Sequence, residues 1–128
     1  MNKLAVIGLG SISNRHRKNL KMLYPRSTIF AMSSSGRTPD KLPPDADIIA
    51  RNIEEVISHN PDMVIVASPS TLHKEHSIRL INAGIPVLIE KPITASLVDA
   101  NEIIKALKSH QTPVAIGYCL RYLNSSQK

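Results

Sequence analysis

Six short apolar runs recur along this chain, and most are unbroken rather than alternating. They are Leu4–Ile7, Thr28–Met32, Asp47–Ala50, Met63–Ala67, Pro86–Ile89 and Val114–Ile116. An alternating run suits a strand with one wet face, whereas a continuous run suits a parallel strand covered on both faces. Helical patterns stand between most of these runs. Ile12, His16, Leu20 and Leu23 fall on one face of a first helix. Asn52 followed by Glu55 reads as a capped helix start before Val56 and Ile57. Leu72, His76, Leu80 and Ala83 line another helix, which Gly84 ends. Ser96 with Asp99 opens the last one, directing Ala100, Ile103, Ile104 and Leu107 inward. Only Ser33–Pro44 departs from the pattern, as a polar loop where a second helix could stand. No linker divides the chain. Strand–helix alternation with right-handed crossovers predicts a single α/β domain, a doubly wound parallel sheet in the order 3-2-1-4-5-6.

On such a sheet, ligands bind at the carboxyl ends of the strands. The first strand end reads V-I-G-L-G-S-I-S, a glycine pair opening a helix. Gly8 permits a tight turn out of the strand, and Gly10 lets backbone approach a ligand without a Cβ between them. The N–H groups at Ser11 and Ile12 then face an anion, aided by the helix dipole. This is the geometry that grips a dinucleotide's diphosphate. The third glycine of G-x-G-x-x-G is Ser13 here, small enough for helix and strand to stay close.

Composition narrows the function. The length of 128 residues allows one domain with a real core. One Phe, three Tyr and no Trp leave almost no platform for stacking bases. The net charge of +6 raises nucleic acid as a partner, but the basic residues are spread from Lys3 to Lys128. The densest group, Arg15, His16, Arg17, Lys18 and Lys21, reads as a solvated helix face or as a positive field near an anion. Nucleic acid is therefore not expected as a partner. No apolar run reaches the roughly 20 residues of a membrane span. A single Cys119 rules out an internal disulfide and suits a cytoplasmic location.

The acceptor for an adenosine ribose belongs about 20 residues beyond the glycines, at the end of the second strand. Here that strand runs into Ser33, Ser34, Ser35, Gly36 and Arg37, with no carboxylate before Asp40. Hydroxyls and a guanidinium, which forks onto phosphate, suit NADP better than NAD. The plainer alternative is a flexible turn with Arg37 in water.

Two further strand ends carry motifs: A-S-P-S-T-L-H at 67–73 and E-K-P-I-T at 90–94. With the glycine turn and His16, they resemble the N-terminal NAD(P)-binding Rossmann domain of the Gfo/Idh/MocA oxidoreductases. That family's pattern is G-x-G-x-x-G-x-x-H, then T-P-N-x-x-H, then E-K-P. Ser13, Ser68 and Ser70 replace its Gly or Ala, Thr and Asn. The segment G-Y-C-L-R-Y at 117–122 resembles the crossing into the family's second domain.

The resemblance implies hydride transfer between a nicotinamide and a secondary alcohol of a sugar or cyclitol. It places Lys91 beside the nicotinamide as the catalytic group that bonds a substrate hydroxyl. An ammonium there stabilises negative charge developing on the oxygen. The peptide before Pro92 is expected to be cis. Ser68, Pro69, Ser70, His73 and Glu90 are expected to line the cofactor cleft. Without the resemblance, Lys91 reads as an ordinary surface lysine. His16, between Ile12 and Leu20, reads as a packed, hydrogen-bonded residue rather than a catalyst. Arg121 and Tyr122 either contact substrate or anchor the chain end. His73, Glu75 and His76 lack further ligands at zinc spacing, so no metal is expected.

By the same resemblance, residues 1–119 form the dinucleotide-binding domain and residues 120–128 begin the crossover to a second, substrate-binding domain. That domain supplies much of the pocket, an acid–base partner and most of any homo-oligomer interface. The chain alone is expected to bind nucleotide weakly and to turn over little, since misplacing reactants by about 1 Å is already costly. The rival reading is a non-enzymatic dinucleotide-binding module acting as a sensor or assembly piece. Titration of wild type and Lys91→Ala with NADPH and NADH separates the two.

Overall fold

In the computed structural model, which describes residues 1–122, every apolar run becomes a parallel strand. The chain runs β1 (Lys3–Ile7), α1 (Ser11–Leu23), β2 (Thr28–Met32), β3 (Ile48–Ala50), α2 (Ile53–Ser58) and β4 (Met63–Val66). It continues α3 (Ser70–Asn82), β5 (Val87–Ile89), α4 (Leu97–His110), β6 (Val114–Ile116) and a final 3-10 turn at Cys119–Tyr122. The strands form one six-stranded sheet in the order β3-β2-β1-β4-β5-β6, as the alternation predicts. Residues 123–128, part of the expected crossover, lie outside the described residues.

Alternate side chains of β1, β2, β4 and β5 enter two cores. Ala5, Ile7, Phe30, Val64, Val66, Val87 and Ile89 pack with Ile53 and Val56 of α2, Leu80 and Ile81 of α3, and Ile103 of α4. Leu4, Val6, Ile29 and Ile65 pack on the other side with Leu20 of α1. Three helices thus contribute to one face and α1 alone to the other. The expectation of strands covered on both faces therefore holds only in the centre. Met63, Pro86, Leu88 and residues 113–115 line an open apolar hollow of about 240 Å³ toward β6.

Three of the expected helix faces are wrong in part. Ile12 and Leu23 are exposed, and α1 instead buries Ser13, Arg17 and Leu20. The inward stripe is polar because it meets the glycine turn and the loop at 33–47 rather than strand side chains alone. Ile104 is exposed while Ile103 is fully buried. Ala83 is the exposed C-cap of α3, and the buried face is His73, His76, Ser77, Leu80 and Ile81. Gly84 follows with φ +73, the left-handed stop that glycine accommodates.

The sheet ladder continues into the functional loops. Gly8 N–H donates to the Met32 carbonyl at 2.8 Å, and Ala67 N–H to Ile7 at 2.9 Å. Glu90 N–H donates to Val66 at 2.9 Å, and Gly117 N–H to Ile89 at 2.8 Å. These rungs fix four loop residues along one carboxyl edge.

Candidate functional site

The glycine turn is built around a close approach. Gly8 has φ +119, and a Cβ there would sit 2.6 Å from both the Ala67 carbonyl oxygen and Ser13 Oγ. Ser13 is completely buried, and its hydroxyl faces the Ala67 oxygen at 3.4 Å. Serine therefore fits at the third position by placing its oxygen over the Cβ-less Gly8. Gly10 behaves differently. It is the N-cap of α1 with φ −74, and a Cβ there would meet nothing within 4 Å. The backbone does not require glycine at that point, and the room opens above the helix start.

Helix ends divide into two kinds. α2 begins with Asn52 accepting from Glu55 N–H, and α4 with Ser96 accepting from Asp99 N–H. Both carry acidic residues in the first turn. α1 and α3 have neither a side-chain cap nor an acid in the first turn. The first N–H groups and positive dipole ends of both are therefore open to an external anion, while α3 turns its Leu72 N–H onto the Pro69 carbonyl at 2.9 Å. Ser11 and Ile12 open α1 and are exposed; Ser70 opens α3 after an exposed Pro69.

Between the first, fourth and fifth strand ends lies a cavity of about 570 Å³. It is lined by Ile12, Arg15, His16, Asn19, Ala67, Ser68, Glu90, Lys91 and Cys119. The Lys91–Pro92 peptide is cis, as expected. Lys91 is exposed, and its ammonium has no ion-pair partner among the described residues. His16 Nε2 meets Glu90 Oε1 at 2.5 Å, the hydrogen-bonded role expected of it.

Ser68 and His73 brace the wall. Ser68 Oγ bonds His76 Nδ1 at 3.0 Å. Burial pushes the His76 ring below the usual histidine range; the Glu75 charge opposes this and His73 adds to it. His73, expected to line the cleft, is 1% exposed and lies behind it. Its Nε2 faces the Ser68 carbonyl at 2.6 Å and its Nδ1 the Pro92 carbonyl at 2.9 Å. It ties two loops together from within, because α3 turns this position toward the sheet.

The serine-rich turn lies apart from that cavity. Ser33 and Ser35 hydroxyls bond each other at 2.9 Å, and Arg37 is exposed. Ser34 and Gly36 share a hollow of about 210 Å³ with Met32, Arg51, Asn52, Ile53, Glu54, Glu75, His76 and Arg79. Glu54 is engaged by Arg79 and Glu55 by Arg51. Arg51 follows β3 directly, a strand end that would have flagged it.

Arg17 is the main residue that pattern reading missed. It has no exposed surface and donates to the Pro44 carbonyl at 2.9 Å, to the Gly8 carbonyl at 3.2 Å and to Asn14 Oδ1. Burial lowers its pKa from the ordinary arginine value, against the pull of Asp45. It is thus a buried clasp between the glycine turn and the loop at 33–47. No three His, Cys, Asp or Glu side chains gather as metal ligands among the described residues. No described helix is long and apolar enough to cross a membrane.

A parallel sheet in this order, with a glycine turn and two uncapped helix ends on its carboxyl edge, defines a dinucleotide-binding α/β domain. A family profile described as "Oxidoreductase family, NAD-binding Rossmann fold" matches residues 2–118. The chain belongs to this Gfo/Idh/MocA oxidoreductase family, as its NAD-binding Rossmann domain. An inositol 2-dehydrogenase of Acidiphilium cryptum is 29% identical over 126 residues, covering 94% of this chain and 38% of that protein. Glucose-6-phosphate 3-dehydrogenase of Bacillus subtilis is 26% identical, covering 97% of this chain and 35% of that protein. The crystal structure of myo-inositol 2-dehydrogenase from Lactobacillus plantarum superposes with a TM-score of 0.78 at 25% identity, over 97% of this chain and 38% of that one. The chain thus spans little more than a third of the length of these relatives.

Proposed function

We propose that this domain holds the nicotinamide cofactor of an enzyme that oxidises or reduces a secondary alcohol on a sugar or cyclitol. The observation that carries the reading is the convergence on one carboxyl edge of two uncapped helix ends and a Lys91 with no ion-pair partner among the described residues. Gly8 and Gly10 with the N–H groups of Ser11 and Ile12 take the diphosphate. Ser68, Pro69, Ser70 and Glu90 form the wall beside the nicotinamide, with His73 bracing that wall. When bound, the nicotinamide would supply or accept the hydride. Lys91 would bond the substrate hydroxyl and stabilise the negative charge on its oxygen as the proton passes to a base, which on this reading the second domain supplies. The similarity to inositol 2-dehydrogenases and glucose-6-phosphate 3-dehydrogenase supports a polyol substrate.

A second, substrate-binding domain completes the site, so residues 1–119 are the cofactor half and turnover by this chain alone is low. A robust rate with inositol from the 128-residue chain would contradict this. The cofactor is NADP in preference to NAD: Ser33, Ser34 and Arg37 take the 2′-phosphate, and Glu54 is already engaged by Arg79. Calorimetric titration tests the preference. Arg37→Ala is expected to weaken NADPH by about tenfold or more and leave NADH nearly unchanged. Equal losses for the two cofactors, or no loss for NADPH, would exclude Arg37 as the phosphate ligand.

A further inference from the structure

Glu90 and Lys91 are adjacent in sequence and line the same cavity, yet their opposite charges do not pair. The carboxylate is occupied elsewhere. His16, reaching across from α1, meets Oε1 at 2.5 Å, with both side chains largely shielded from water at 17% and 15% exposure. The other oxygen, Oε2, accepts the Lys91 backbone N–H at 3.1 Å. Gly117, just past β6, borders the seat: a Cβ there would stand 3.3 Å from the carboxyl carbon and from both oxygens. The His16 ring and the Lys91 backbone thus each hold one carboxylate oxygen in a space that Gly117 leaves open, and the lysine ammonium beside it is left without a partner among the described residues. Lysine carries its charge on a flexible four-carbon stem and would otherwise collapse onto the nearest carboxylate.

We propose that His16 is a positioning residue that acts through Glu90. By holding that carboxylate it keeps the Lys91 ammonium unpaired, so that the ammonium can meet a substrate hydroxyl. This rests on the reading of Lys91 as the group that bonds the hydroxyl. The contact itself is a property of the free chain. Because His16 stands on the helix that opens at the glycine turn, the same contact ties the diphosphate-binding helix to the loop that carries Lys91.

The test reads the Lys91 amine directly, with no cofactor or substrate present, so its outcome is independent of whether Lys91 assists hydride transfer. The full 128-residue chain is treated with a limiting amount of acetic anhydride, and acetylation of Lys91 is followed by peptide mass spectrometry. His16→Leu releases Glu90 onto the ammonium, which retains its proton, and Lys91 labelling is expected to slow by about tenfold. His16→Leu combined with Glu90→Gln restores the wild-type rate, and so does His16→Gln, which keeps a donor for the carboxylate. An unchanged rate in folded His16→Leu would overturn the proposal, as would equal slowing in the double variant. Glu90→Gln alone keeps the test decisive if His16→Leu fails to fold. It leaves the rate near wild type if the carboxylate is already held away, and a tenfold rise would show that Glu90 already pairs with the ammonium.

Discussion

At the scale of single residues, the glycine turn is held by polar side chains that point inward. Arg17 satisfies the Gly8 and Pro44 carbonyls from a fully buried position, and Ser13 fills the space over Gly8. Replacing Arg17 with Met removes the guanidinium and strands those carbonyls, at a cost of about 2–4 kcal/mol. Urea unfolding measures it, and a loss below about 0.5 kcal/mol would mean the clasp is dispensable. His76 gives a pH signature. Its folded pKa lies below the ordinary histidine value, so the unfolded chain takes up the proton first. Its contribution to stability is complete above about pH 6.5 and is lost as pH falls through that value toward the folded one. Thermal midpoints are expected to drop between about pH 7.5 and about pH 5.5, with a shallower slope in His76→Gln. Equal slopes would remove His76 from the account. None of this was legible in the pattern of apolar residues. Periodicity assigns an inward face by hydrophobicity, which placed Ile12 and Leu23 inside and Arg17 in water. A backbone turn with unpaired carbonyls attracts a buried donor, and only the folded loop reveals those carbonyls.

At the scale of elements, the strands were legible because parallel strands read as continuous apolar runs, the central ones being buried on both sides. Thr28–Met32 and Val114–Ile116 keep their predicted bounds, and the others shift by one residue at one end. Caps were legible too, since Asn52 and Ser96 announce themselves by the residue three positions on. The informative contrast lies in the helices without caps. Asn52→Ala and Ser96→Ala are each expected to cost about 1 kcal/mol in unfolding free energy. Ser70→Ala, at the uncapped start of α3, is expected to stay within about 0.5 kcal/mol of wild type. A full capping loss at Ser70 would mean that α3 closes its own N-terminus and leaves nothing for an anion.

At the scale of the whole molecule, four loops meet along one sheet edge because the ladder carries Gly8, Ala67, Glu90 and Gly117 past the ends of their strands. The motifs at those strand ends were visible in the sequence. Their depth was not: His73 reads as a wall residue by motif and sits behind the wall, because the orientation of α3 decides which side of the loop it reaches. The central claim is that a dinucleotide lies along this edge with its nicotinamide in the Lys91 cavity. Cys119, the only cysteine, is exposed and lines that cavity, which makes it a reporter. The direct measurement is the rate of Cys119 modification by a thiol reagent with and without saturating nucleotide. Oxidised NADP or NAD is expected to slow the reaction by about tenfold or more, while the corresponding adenosine diphosphate fragment binds without protecting the thiol. Full-rate labelling of Cys119 in a chain saturated with the complete dinucleotide would contradict the account.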